Sequence, residues 1–369
     1  MKLVSLIKKI IVKICFAVLN TNKKIILFVS FAGKKYDGSP RVIYEKMLED
    51  ERFKNYKFIW AFENPDKFNM DKASIIKIYS LKYYYYALKT KCWITNISAD
   101  IGGLMKKNTL YFNTWHGSPI KKTGYDIENT EYRGIISSPD IMCAQANYDA
   151  DILSQAYKID REKIIITGLP RNDILANYNE EIKLQIINKL GLPIDKKIIL
   201  YCPTWREYDN QKTSFTVNQK INFKEWENKI GEKYIILYRS HINTISTIEH
   251  NKFVYDFCKY ECLNDLMIVS DILISDYSSI YIDYSIMGKP MLCFAYDYEK
   301  YVKNIGMYID IRKELPCEIV YDEDTLLKQI LYLDYEKMSH DTLKFRDKYV
   351  ESFGNATNIC VNKIWESIK

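Results

Sequence analysis

Short apolar runs recur along the chain and alternate with longer stretches of helical periodicity. Ile25–Val29, Phe58–Phe62, Ile75–Ile78, Cys92–Thr95, Thr109–Phe112, Ile141–Ala144 and Ile164–Ile166 make a first series. The helical Glu181–Leu190 follows, and Gly191-Leu192-Pro193 marks a break. A second series comprises Ile198–Leu200, Tyr234–Leu237, Ile272–Ile274 and Met291–Phe294, and Asp334–Lys369 reads as helices. Such apolar runs alternating with helical stretches predict strands joined by helices. Two successive β/α sets predict an α/β protein with two Rossmann-like domains facing each other across a cleft. The tyrosine run Tyr83–Tyr86 reads as one face of an amphipathic helix.

Polar residues cluster where the apolar runs end. After Ile272–Ile274 come Ser275, Asp276, Ser278 and Ser279, which suit a helix start, and then a helical stretch to Met287. A strand running into a serine-rich helix start presents backbone N–H groups and hydroxyls together, as a phosphate cradle requires; an ordinary serine-capped crossover is the plainer alternative. Trp115-His116-Gly117-Ser118-Pro119 follows Leu110–Phe112, and Gly168-Leu169-Pro170-Arg171-Asn172-Asp173 follows Ile164–Ile166. Pro203-Thr204-Trp205-Arg206-Glu207 follows Ile198–Leu200, and Arg239-Ser240-His241 follows Tyr234–Leu237. In open α/β sheets this carboxyl edge is where ligands bind.

These segments resemble the CDP-glycerol glycerophosphotransferase family of wall teichoic acid synthesis. The stretches WHGSPIKK, GLPRND, PTWRE, RSH and SDYSSIYID carry the resemblance, with FVSFAGKKYDGSPRVIYEKM near the start and FAYDYEKY near residue 300. It runs from about Ile26 to about Asp324. It implies a GT-B-like fold and transfer of glycerol phosphate from CDP-glycerol to a hydroxyl of a lipid-linked or polysaccharide acceptor, with release of CMP, in teichoic acid or capsule synthesis. Among the four histidines, His116 is then the expected general base and His241 a second catalytic residue. Expected donor-binding residues are Trp115, Gly117, Ser118, Pro119, Arg171, Pro203, Thr204, Arg239, Ser240, Ser278, Ser279 and Asp283. For Arg171 an inter-domain salt bridge with Asp173 or another acid is the alternative to a phosphate contact, and for Asp283 a helix-dipole role is the alternative to a donor hydroxyl. His250 and His340 read as surface residues. CDP-ribitol as donor, a sugar transferase of the same fold using a nucleoside-diphosphate sugar, and an inactive scaffold are the competing readings.

Composition narrows the picture further. With 369 residues, 47% hydrophobic and 27% charged, the chain suits two packed domains. The expected division is a segment 1–20, domains 21–178 and 179–345, and a C-terminal helix within 346–369 that crosses back to the first domain. A net charge of +6 suits an anionic donor, product or membrane surface, and no nucleic-acid motif accompanies it. Nine scattered cysteines without a C-x-x-C pair read as reduced thiols. Asp271, Asp276 and Asp283 match no Mg²⁺ triad, and the sequence has neither a P-loop nor G-x-G-x-x-G, so neither metal nor cofactor is expected. Residues 1–19 carry Lys2, Lys8, Lys9 and Lys13 among apolar positions at helical spacing. They read as an amphipathic helix lying on the cytoplasmic face of the membrane, with a helix packed on the protein itself as the alternative. The short length favours adding one unit over processive polymerisation, and the oligomeric state is left open.

Overall fold

The computed structural model describes residues 20–97, 106–128, 133–134, 136–204, 206, 220–240 and 251–369. The expected N-terminal helix, His241 and His250 lie outside them. The chain divides into two compact units. The first holds the described residues up to His116, those from 136 to Asp173, and Asn355–Lys369. The second holds the described part of Gly117–Gly134, and Ile174–Gly354.

The first unit is a seven-stranded parallel sheet in the order β3-β2-β1-β4-β5-β6-β7. Its strands are β1 (Ile25–Val29), β2 (Lys57–Phe62), β3 (Ser74–Lys77), β4 (Cys92–Thr95), β5 (Leu110–Asn113), β6 (Ile141–Ala144) and β7 (Ile164–Ile166). All five residues of β1 are buried because both faces are covered. Alternate side chains go to opposite sides. Ile26 and Phe28 join Trp60, Tyr44 and Met47 with Cys360 and Ile364, on the face covered by the helices Gly38–Glu49 and Ala356–Ile368. Ile25, Leu27 and Val29 join Ile59, Trp93, Tyr83 and Leu88, under the helix Leu81–Lys89. Within the tyrosine run, Tyr83 is buried and Tyr85 exposed, as the helical reading requires.

The second unit is a six-stranded parallel sheet in the order β10-β9-β8-β11-β12-β13. Its strands are β8 (Lys197–Tyr201), β9 (Tyr234–Tyr238), β10 (Val254–Asp256), β11 (Ile272–Ser275), β12 (Met291–Phe294) and β13 (Ile319–Val320). The edge strands β10 and β13 do not show as apolar runs, β10 because its three residues are Val-Tyr-Asp and β13 because it has only two residues.

The division differs from the expected boundaries in two places. It falls after Asp173 rather than after residue 178, and Gly117–Gly134 sorts with the second unit. The reason for the latter is main-chain bonding: Lys122 N–H donates to the Gly306 carbonyl at 3.1 Å and Tyr308 N–H to that of Ile120 at 2.9 Å. The C-terminal helix Ala356–Ile368 belongs to the first unit. Asp173 anchors its start, accepting from Ala356 N–H (2.8 Å), Thr357 N–H (2.7 Å) and the Thr357 hydroxyl (2.6 Å). No helix among the described residues is long and apolar enough to cross a membrane.

Candidate functional site

Each sheet has a point where successive strands start to be added in opposite directions, and the loops leaving it diverge to open a crevice. In the first unit this point lies between β1 and β4. The loop after β1 is held by Asn96, which follows β4. Phe31 N–H donates to Asn96 Oδ1 at 2.8 Å, Asn96 Nδ2 donates to Ser30 Oγ at 3.3 Å, and Ser30 Oγ donates to the Asp37 carbonyl at 2.5 Å. Phe31 and Ala32 both have left-handed backbones, with φ of 46° and 54°. Such residues cost about 1–3 kcal/mol each and persist only where surrounding contacts over-determine them. Gly38 opens the next helix at φ +72°, and a Cβ there would lie 2.9 Å from Asn96 Nδ2.

His116 reaches the same place from β5. Trp115 N–H donates to Asn113 Oδ1 at 2.8 Å, a tight turn that puts Trp115 at φ +53°. The turn brings His116 Nδ1 to 2.8 Å from the Asn96 carbonyl. A carbonyl oxygen only accepts, so Nδ1 carries the proton and Nε2 keeps the lone pair. Burial pushes the imidazole pKa down to about 4; the Arg171 charge adds to this and the Asn96 bond opposes it. Arg171 Nη2 donates to the His116 carbonyl at 2.9 Å, and Arg171 N–H to Ser39 Oγ at 3.3 Å. The Trp115 ring lies 4.3 Å from the imidazole and 5.2 Å from Tyr157. GLPRND is thus a joint: Arg171 secures the histidine's backbone, and Asp173 secures the last helix rather than pairing with Arg171.

In the second unit the corresponding point lies between β8 and β11. Pro203 and Thr204 follow β8, and Asp276 follows β11. Asp276 Oδ1 accepts from Thr204 N–H at 2.9 Å and from Tyr277 N–H at 2.7 Å. Ser275 Oγ donates to the Cys202 carbonyl at 2.6 Å. Arg206 pairs with Asp276 at 2.9 Å and with Asp297, just after β12, at 2.8 Å. Sequence reasoning gave no role to Arg206, Asp297 or Asn96, and read Asp276 only as part of a helix start. The signal was present in PTWRE, SDYSS and FAYDYEKY, whose charged members sit at the ends of β8, β11 and β12.

The remaining expected residues divide. Ser278 Oγ accepts from Ile280 N–H at 3.2 Å, so it caps the helix Ile280–Ser285; Ser279 makes no side-chain capping bond. Asp283 is buried at 2% exposure. Arg239 does not stand open toward a phosphate here: its guanidinium donates to the carbonyls of Phe257 (3.3 Å) and Tyr260. Ser240 is buried, its hydroxyl 3.1 Å from Cys258 Sγ. Gly117 has φ 150°, and Ser118 is fully buried in the second unit. His340 is exposed, as expected.

Residues 11–366 match the family described as CDP-Glycerol:Poly(glycerophosphate) glycerophosphotransferase, and the chain belongs to it. It is 32% identical to the teichoic acid poly(glycerol phosphate) polymerase of Staphylococcus epidermidis, over 92% of this chain and 49% of that protein, so it spans about half that relative's length. It is 30% identical to the teichoic acid glycerol-phosphate transferase of Staphylococcus aureus, over 90% of this chain and 89% of that protein. The solved wall teichoic acid polymerase TagF superposes with a TM-score of 0.86 at 32% identity, over 94% of this chain and 90% of that one.

Proposed function

We propose that the protein transfers glycerol phosphate from CDP-glycerol to an acceptor hydroxyl in teichoic acid synthesis. The observation that carries this reading is the fixed tautomer of His116: Nδ1–H is held by the Asn96 carbonyl, leaving Nε2 as a base. The acceptor oxygen attacks the phosphorus that bears glycerol, its proton passes to Nε2, and the bond to CMP breaks with the electron pair leaving on CMP. Little covalent chemistry falls to the protein in such a displacement, so positioning and charge neutralisation supply the catalysis. The strand ends around Thr204 and Tyr277–Ser279 hold the donor diphosphate. The relatives matched at 30–32% identity are named for glycerol phosphate, which supports glycerol over ribitol as the polyol. Incubation with CDP-glycerol, CDP-ribitol and a UDP-sugar, each with a polyol-phosphate acceptor, tests the donor. CMP release from CDP-glycerol alone is expected, and nucleotide release from the UDP-sugar alone would overturn the reading.

We further propose that residues 1–19 keep the enzyme on the cytoplasmic face of the membrane. Lys2, Lys8, Lys9 and Lys13 lie among Leu3, Val4, Ile7, Ile11, Ile14 and Val18 at helical spacing. Each lysine near an anionic surface is worth about 1 kcal/mol. Deleting 1–19 is expected to release the protein from anionic vesicles and to slow transfer to a lipid-embedded acceptor but not to a short soluble one. Aggregation or early melting of the truncated chain would show a packed structural helix instead.

A further inference from the structure

We propose that Arg206 is the positioning residue of the donor site, acting through Thr204 and Asp276 rather than by binding phosphate itself. The inference rests on the donor site proposed above. Arg206 lies just beyond β8 with its side chain only 8% exposed. All three guanidinium nitrogens are engaged within the protein. Nε and Nη2 form a fork on Asp297, at 2.8 and 2.9 Å. Nη2 also lies 2.9 Å from Asp276 Oδ2, and Nη1 donates to the Thr204 carbonyl at 2.5 Å. The rings of Tyr277, Tyr296 and Tyr301 surround it, with centroids at 4.9, 5.0 and 5.3 Å.

These contacts close a ring. Thr204 N–H donates to Asp276, Asp276 pairs with Arg206, and Arg206 donates back to the Thr204 carbonyl. Both main-chain polar groups of Thr204 are therefore fixed. The same carboxylate fixes Tyr277 N–H, the entry to Ser278 and Ser279. What remains is the Thr204 hydroxyl, which is buried and has no partner among the described residues. A buried hydroxyl without a partner is costly, and a phosphate oxygen would satisfy it. Arg206 thus sets the position of this unpartnered hydroxyl. A lysine cannot replace it, because an ammonium lacks the planar fork that reaches Asp297, Asp276 and the carbonyl together.

A double-mutant cycle on the full chain tests this. CDP-glycerol is titrated by calorimetry into the native protein, Thr204→Val, Arg206→Lys and the double variant, with folding checked by circular dichroism. Thr204→Val is expected to weaken donor binding about tenfold, and Arg206→Lys at least as much. The double variant should bind no worse than Arg206→Lys alone, since the hydroxyl is already misplaced in it. In turnover the donor KM should rise while kcat falls less than about threefold. Additive losses would make Arg206 an independent ligand and overturn the proposal. Unchanged donor affinity in Arg206→Lys with a lowered melting temperature would reduce it to a structural residue and overturn the proposal equally. If Arg206→Lys does not fold, Asp297→Asn, which keeps the Arg206–Asp276 pair, takes its place in the cycle, with the same non-additivity expected and additivity again overturning the proposal. If the native protein binds CDP-ribitol and not CDP-glycerol, the donor assignment falls, and the same cycle run with CDP-ribitol still decides the role of Arg206.

Discussion

The two switch points are built from opposite materials. In the first unit neutral amide, hydroxyl and imidazole groups bond to one another and to main-chain groups, with the charged Arg171 donating to the His116 carbonyl, and the strain sits in the backbone at Phe31, Ala32 and Trp115. In the second unit the crevice is organised by charge, with one arginine between two carboxylates in a wall of tyrosine rings. The difference fits a division of labour. The proposed base must keep its lone pair, and burial, the Arg171 charge and a fixed tautomer keep His116 neutral. A diphosphate site must hold its donor groups still against a highly charged ligand, and charge-assisted bonds to a buried arginine do that more firmly than neutral ones. Substitutions in the first crevice should therefore alter turnover, and those in the second should alter stability and donor affinity.

Asp276→Ala is expected to have the largest effect. It leaves Arg206 with Asp297 alone and removes the acceptor for Thr204 and Tyr277 N–H. Breaking a buried pair in this way costs about 3–5 kcal/mol. The urea midpoint should fall clearly, and the loss should persist in high salt because Asp276 and the Arg206 side chain are only 2% and 8% exposed. A midpoint within error of the native one would remove the charge-built character of the second crevice.

His116→Ala should show the converse. Turnover should fall by at least ~10²-fold, the low end for a lost general base, while CDP-glycerol binding and the urea midpoint change little. Near-native turnover, or a loss confined to donor affinity, would erase the contrast between the two units.

How far this contrast could be read in advance differs between its parts. Most strands were legible because each carries a continuous apolar run; β10, Val-Tyr-Asp, has none, and β13 has only two residues. The WHGSP and SDYSS segments were legible as chemistry-bearing strand ends. The tautomer of His116 was not, since a carbonyl twenty positions back sets it. Nor was the role of Arg206, whose partners at Asp276 and Asp297 become neighbours only once β8, β11 and β12 are known to lie side by side. Arg239 illustrates the same limit: it is polar at a strand end, and only the fold shows that it bonds loop carbonyls.

Gly38→Ala probes the strained side of the first crevice with a smaller change. The added methyl would meet Asn96 Nδ2 at 2.9 Å on a backbone with φ +72°. The loss of stability should be about 1–3 kcal/mol. Because the Asn96 carbonyl also holds His116, kcat should drop by about tenfold, short of the ~10²-fold that a 1 Å misplacement can cause. A stability loss with unchanged kcat would show that the β1 loop and the imidazole are not coupled.

The smallest expected effect is on the pH profile, and it bears directly on why the His116 imidazole is neutral. A histidine in water titrates near 6.5, and burial brings His116 to about 4. Between these values the unfolded chain takes up a proton that the folded chain refuses. The contribution of this group to stability is therefore fully present above about pH 6.5 and is lost as pH falls toward 4. The same displacement keeps Nε2 unprotonated, so the acid limb of kcat/KM for the free enzyme should lie near pH 4 rather than near 6.5. From about pH 7.5 down to about pH 5.5 that ratio should stay nearly flat for native protein, once other titrating groups are accounted for with His116→Ala as the reference. An inflection near 6.5 that disappears in His116→Ala would mean that the imidazole is solvated in the working enzyme. The burial of the imidazole would then serve packing, and the base would owe its state to the surrounding water.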